Sequence, residues 1–226
     1  MKVIAVMPAY HEASRIREAV SGVRPLVDQV VVVDDGSSDA TAMEAAQTGA
    51  IVLRHAVNRG QGASLKTGTE AALQLGADII VHIDADGQHD PESISSLIEP
   101  IRARRADVVF GSRFLGLASD GMPTARKALL VLARRFSTLV LGLPWRLTDP
   151  QSGLRAMTAA AARRVDFKQD RMAHCSEILR LVTRSDLRWI EVPTRIRYTA
   201  DTLAKGQKPA DALKIVWQLF LGALQG

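Results

Sequence analysis

The first half of the chain alternates short, β-branched apolar runs with longer stretches whose apolar residues recur at helical spacing. Residues 3–7, 30–34, 51–54, 79–84 and 108–110 read as strands, and they are apolar at successive positions rather than at every second one. That is the pattern of strands covered on both faces. Residues 12–21, 41–48, 63–75 and 91–104 read as the intervening helices. The alternation predicts an α/β architecture, a mostly parallel sheet with helices on both faces. In such sheets ligands bind beyond the carboxyl ends of the strands. The polar motifs fall there: Pro8-Ala9-Tyr10-His11-Glu12 after the first strand, Asp34-Asp35-Gly36-Ser37-Ser38-Asp39 after the second and Asp84-Ala85-Asp86 at the end of the fourth.

The second half is less regular. Residues 123–143 predict a helix, 148–153 a turn, 175–184 a helix, 189–192 and 194–198 two short strands, and 210–224 a last helix. No repeat, low-complexity linker or break in composition divides the chain, so one domain over residues 1–226 is expected.

Composition narrows the partners. An apolar fraction of 47% and a charged fraction of 23% describe an ordinary folded protein. The single cysteine, Cys175, excludes an internal disulfide framework, suits a reducing compartment and reads as a helix-packing residue. A formal charge of +5 permits an anionic partner: nucleic acid, a phosphate-bearing substrate or an anionic membrane surface. With only 4% aromatic residues and no basic-aromatic ladder, nucleic acid is not expected as a partner. The apolar stretch at the amino terminus is too short for a secretory signal, and charges interrupt every long greasy run, so no spanning helix is expected.

Asp84 and Asp86 carry the sharpest chemical signal. Two carboxylates one residue apart, where a strand enters a glycine turn, form a compact oxygen site for Mg2+ or Mn2+, whose shell water and substrate phosphates complete. The same pair also suits capping of the turn and of the helix near Pro91.

Taken in order, the motifs just named, Asn58-Arg59-Gly60-Gln61-Gly62, Asp84-Ala85-Asp86-Gly87-Gln88, Gly111-Ser112-Arg113 and Thr148-Asp149-Pro150-Gln151-Ser152-Gly153 resemble family 2 glycosyltransferases. The resemblance is to the branch of dolichol- and polyprenyl-phosphate sugar synthases and spans roughly residues 3–208. It implies a GT-A fold with a Rossmann-like sheet, a nucleotide-sugar-binding half over about 1–115 and an acceptor half over about 116–226. It also implies inverting transfer of a hexose from a nucleotide-sugar, UDP- or GDP-linked, to a lipid phosphate. By the same resemblance Pro8, Tyr10, Glu12 and Asp35 line the donor pocket, and Asp84, Asp86 and Gln88 hold the metal. Arg113 meets a phosphate, and Asp149, Gln151 and Ser152 lie near the transferred sugar and acceptor. His11 stands where the family usually has Asn, Gln61 where Lys is frequent, and Lys205-Gly206-Gln207-Lys208 where a Gly-x-Ser-Lys loop is usual.

A phosphate acceptor is already anionic and needs a cationic seat rather than a base. Arg113, Arg126, Lys205 and Lys208 are the candidates. A hydroxyl acceptor instead calls for a base, and Asp149 is placed for it. The catalytic set is thus expected to be Asp86, Arg113 and Asp149. The basic, greasy segment around Arg126, Lys127, Arg134 and Arg135 suits either a solvated helix face or an anionic bilayer. The last helix suits a lipid surface or a homo-oligomer contact. The expected location is cytoplasmic, peripheral at the inner face of a membrane. Glu177 reads as near the acceptor or at the surface, His89 as a turn residue beside the metal, and His174 as structural or acceptor-side.

Overall fold

The computed structural model describes residues 1–115, 134–135, 138–139 and 142–196. Its strands are β1 (Val3–Ala9), β2 (Gln29–Asp34), β3 (Ile51–Arg54), β4 (Ile79–His82), β5 (Val108–Ser112), β6 (Arg155–Thr158) and β7 (Trp189–Pro193). Its helices are α1 (Ile16–Val23), α2 (Thr41–Ala46), α3 (Gln61–Gln74), α4 (Ser93–Arg102), α5 (Ala159–Arg164) and α6 (His174–Thr183). The strands form one seven-stranded sheet in the order β3-β2-β1-β4-β6-β5-β7.

The unbroken apolar runs are explained by covering on both faces. Val3, Ala5, Met7 and Ala9 of β1 face a core built with α1 and α4, through Ile16, Val20, Ile94 and Leu97. Ile4 and Val6, pointing the other way, face a core built with α3, α5 and α6, through Leu65, Ala161 and Ile178. Alternate residues of one strand therefore enter opposite layers.

Elements of the first half stand where expected, with ends that differ by a few residues. The helix expected from residue 12 begins at Ile16, because the preceding loop is spent on site contacts. β4 stops at His82, which frees Asp84 and Asp86 from the ladder.

β6 was not anticipated. It lies antiparallel between β4 and β5, pairing His82 with Arg155 on one side and Phe110 with Arg155 on the other. Arg-Ala-Met-Thr carries no β-branched run, and its place is set by the two strands it joins. Thr158 ends it and starts α5, its hydroxyl oxygen accepting the Ala161 amide at 3.0 Å. Of the strand expected over residues 194–198, Ile196 makes an isolated antiparallel bridge to His89. The rest of that strand, the last helix and most of the helix expected over 123–143 lie outside the described residues.

Candidate active site

The loops after β1 and β2 are stitched together. His11 adopts φ +55°, a left-handed backbone that Asn, Asp and His enter more readily than other side chains. The exchange of Asn for His thus keeps the backbone the loop needs. The His11 ring stacks on Tyr10 with centroids 4.1 Å apart. Its Nε2 accepts the Ser38 amide at 3.2 Å, and its own amide donates to Ser37 Oγ at 3.0 Å. The Glu12 amide donates to Thr41 Oγ1 at 2.9 Å.

Asp34 and Asp35 are buried and held by the protein. Asp34 accepts the Ser37 amide at 3.1 Å and pairs with Arg54 Nε at 3.1 Å. Asp35 Oδ1 accepts from His55 Nδ1 at 2.7 Å and from the Arg59 amide at 2.9 Å, while Oδ2 accepts from the Gly60 amide at 2.7 Å. Asp35 thereby fixes the loop entering α3. Gly60 is required there: its φ is +113°, and a Cβ would fall 2.4 Å from the Asp170 carbonyl oxygen.

Asp84 and Asp86 follow the end of β4. Asp84 Oδ1 accepts Gln61 Nε2 at 2.7 Å, and Oδ2 lies 3.4 Å from His89 Nε2. Asp86 Oδ1 accepts the Gln88 amide at 3.0 Å, the one hydrogen bond of its carboxylate among the described residues. Gln88 enters through that amide. Burial pushes both carboxyls up. At Asp84 the bond and charge of His89, then the charges of Arg155 and His174, outweigh it and hold the group below the usual value. At Asp86 the negative charge of Asp84 adds to burial, and the carboxyl is raised. The two acids repel each other, a repulsion a shared cation relieves.

The pair fits a divalent ion. Among the described residues no group of three or more His, Cys, Asp or Glu is arranged to hold a metal, so an ion here would take two carboxylates from the protein and the rest of its shell from ligand and water. Mg2+ sites that bind substrate phosphates have that composition. Ser64 Oγ is buried in the same cleft with no protein partner among the described residues, one more polar atom left for a ligand.

Pro8, Tyr10, Glu12, Asp35, Asp84 and Asp86 line one cleft of about 420 Å³. A second, of about 510 Å³, opens on the α1 side of the same two acids, which form the partition between them.

On the other side stands the turn before β6. Asp149 is fully buried and holds Arg113 by two side-chain bonds, Nε to Oδ2 and Nη2 to Oδ1, both 2.6 Å, and accepts the Arg113 amide at 3.0 Å. The turn is hung from Glu191 of β7, whose oxygens accept the amides of Thr148 at 2.8 Å and Asp149 at 3.0 Å. Ser152 is buried and Gln151 half-buried. Gly153 closes the turn against the acids: a Cβ there would fall 2.9 Å from Asp84 Oδ2. Arg126, Lys205 and Lys208 lie outside the described residues.

Residues 4–168 match the profile of Glycosyl transferase family 2. The chain belongs to that family. It is 32% identical to the UDP-N-acetylglucosamine–dolichyl-phosphate N-acetylglucosaminyltransferase of Methanococcus voltae, over 96% of this chain and 94% of the relative. It is 34% identical to the undecaprenyl-phosphate mannosyltransferase of Micrococcus luteus, over 74% of this chain and 70% of that one. The fold superposes on glucosyl-3-phosphoglycerate synthase of Mycobacterium tuberculosis, solved with Mn2+, UDP and glucosyl-3-phosphoglycerate, with a TM-score of 0.73 at 20% identity. That match covers 99% of this chain and 78% of the other and fixes the architecture as GT-A.

Some residues of the cleft carry no functional signal in the sequence. Asn58, Gly60 and Gln61 line the cleft, and their motif by itself names no role. Met172 lines it too, brought in by the loop before α6, and no local pattern marks it. Glu191 sits within an ordinary strand pattern, and only its partners reveal what it does. Glu177 accepts the amides of Lys168 at 2.9 Å and Gln169 at 2.8 Å. It thereby braces the loop that packs on Gly60 and Gly62.

Proposed function

We propose that this family 2 enzyme is a metal-dependent, inverting hexosyltransferase that moves a hexose from a UDP- or GDP-sugar to a polyprenyl, dolichol-like phosphate. The observation that carries the reading is the Asp84/Asp86 pair, set at the cleft wall with few protein hydrogen bonds and mutually repelling charges. A divalent cation bound there supplies Lewis-acid stabilisation to the departing nucleoside diphosphate. Pro8, Tyr10, Glu12 and Asp35 form the wall for base and ribose. Gln61 orients Asp84 through the 2.7 Å bond, and Gln88 orients Asp86 through its amide. Asp149 holds the Arg113 guanidinium in one orientation, as a phosphate seat requires. Arg126, Lys205 and Lys208 are proposed to add positive charge around the acceptor.

The hydroxyl-acceptor alternative needs Asp149 as a base. A buried carboxylate gripped through both oxygens by Arg113 is better placed to position that arginine than to take a proton. The similarity to enzymes named for dolichyl- and undecaprenyl-phosphate acceptors supports the lipid-phosphate reading.

No helix among the described residues is long and apolar enough to cross a membrane. Leu139 and Trp145 are 83% and 80% exposed, and the Arg134 guanidinium donates to the Trp145 carbonyl at 2.8 Å. Exposed Trp and Leu beside arginines support peripheral seating on an anionic, cytoplasmic membrane face.

Two assays test the reading. A melting panel of UDP- and GDP-sugars with and without Mn2+ is expected to yield a donor that stabilises only with metal. Turnover is expected with undecaprenyl phosphate and not with soluble alcohols; the reverse preference would refute the acceptor.

A further inference from the structure

Cys175 is the chain's only cysteine, and it does not stand alone. Its Sγ lies 3.3 Å from His174 Nε2, while Nδ1–H of the same ring donates to the Arg171 carbonyl at 2.8 Å. That second bond occupies Nδ1 as a donor and leaves Nε2 to face the thiol. Nucleophile, base and orienting acceptor are thus aligned.

Arg155 supplies an independent observation. It is 1% exposed, and its hydrogen bonds run from Nε to the Gly153 carbonyl at 3.2 Å and from Nη2 to Cys175 Sγ at 3.6 Å. No carboxylate among the described residues lies within ion-pair distance of it. A buried guanidinium calls for an anion; of its two hydrogen-bond partners the sulfur is the one that can become one, and beyond them its charge also acts on Asp84. Of the charged groups around the thiol, His174 and Arg155 favour the thiolate, and Asp84 opposes it. His82, on β4, is held neutral by burial and by the Arg155 and His174 charges.

We propose that Cys175 is a thiol-modification site, a sulfur held between His174 and Arg155 that exchanges with small aliphatic disulfides. In the step, the thiolate attacks one sulfur of the disulfide. A Cys175–sulfur bond forms, the original sulfur–sulfur bond breaks, and the leaving thiolate takes the electron pair and a proton from water. The disulfide is the oxidant. Cys175 is partly exposed, at the start of α6 and just after Met172 of the cleft wall. Burial raises the thiol, but His174 and Arg155 outweigh it and bring the group down to about 7.

The test is exchange of the native protein with oxidised glutathione from pH 5.5 to 9, followed by intact mass, alongside thiolate absorbance near 240 nm. One adduct is expected, reversed by dithiothreitol and absent in Cys175→Ser, with an absorbance midpoint near 7. At pH 6.5 the rate should exceed that of a free thiol by about fivefold, the larger thiolate fraction being partly offset by lower nucleophilicity. Arg155→Met and His174→Gln should each move the midpoint up, with circular dichroism confirming the fold, and Arg155→Lys should move it less. Because the wild-type titration stands alone, failure of a variant to fold leaves the test intact. A wild-type midpoint at or above that of a free thiol, or a native protein inert while the unfolded chain reacts, would overturn the proposal.

Discussion

The loop after β2 and the loop after β4 each carry a pair of acids at the rim of one sheet, yet the fold uses them differently. Asp35 has both oxygens taken by the amides of Arg59 and Gly60 and by His55, and Asp34 accepts the Ser37 amide and pairs with Arg54. Asp84 and Asp86 face each other with one hydrogen bond from Gln61, one from the Gln88 amide and a longer contact to His89. The first pair holds loops in place. The second leaves charge unbalanced and therefore available to a ligand. Three N–H groups converge on Asp35 and one reaches Asp86, so the number of protein donors, rather than position at a strand end, separates these two acids.

That contrast is broken most forcefully at Asp86. Asp86→Asn should lower turnover by ~10³-fold, the scale of losing one charge-stabilising element of a transition state. The metal-free variant should melt no lower than the parent, because a carboxylate repelled by Asp84 is removed. A variant with parental rates, or one that unfolds, would erase the distinction. Asp149 sorts with Asp35 as an acid committed to the protein. Arg113→Met, which strands it buried, should cost about 3–5 kcal/mol in denaturant unfolding. Asp35→Asn should lose about 2 kcal/mol, since a neutral amide replaces a carboxylate that accepts three N–H groups, and nucleotide binding should weaken with it.

The smallest effect is at Glu191. Burial is the main cause of its raised carboxyl, with the Asp149 charge adding to it, while the Thr148 and Asp149 amides pull the other way. A raised acid binds its proton more tightly in the folded state, so this group's contribution to stability declines as pH climbs from the unfolded value through the folded one. Glu191→Gln should flatten that stretch of the stability-versus-pH curve, and an unchanged slope would show that the acid is not strained.

Much of this is legible in the sequence itself. Apolar runs without alternation announce strands covered on both faces, and polar residues after those runs mark the rim, so Pro8, Tyr10, Glu12, Asp35, Asp84 and Asp86 of the cleft are legible from pattern and resemblance. Identity of type, however, hid difference of use: in the sequence Asp35 and Asp86 look alike, and only the amides of Arg59 and Gly60 tell them apart. β6 was missed because an antiparallel insertion between β4 and β5 is decided by distant partners. Arg155, which begins β6, and Glu191, on β7, stayed hidden for the same reason. Arg113 and Asp149 were named separately, and their pairing across 36 residues is a property of the sheet.

The most direct measurement is anomalous diffraction at the manganese edge from crystals grown with Mn2+ and UDP or GDP. The account predicts one strong peak bounded by the Asp84 and Asp86 carboxylates and the ligand diphosphate. A nucleotide seated in the cleft with its cation elsewhere, or with none, would contradict it.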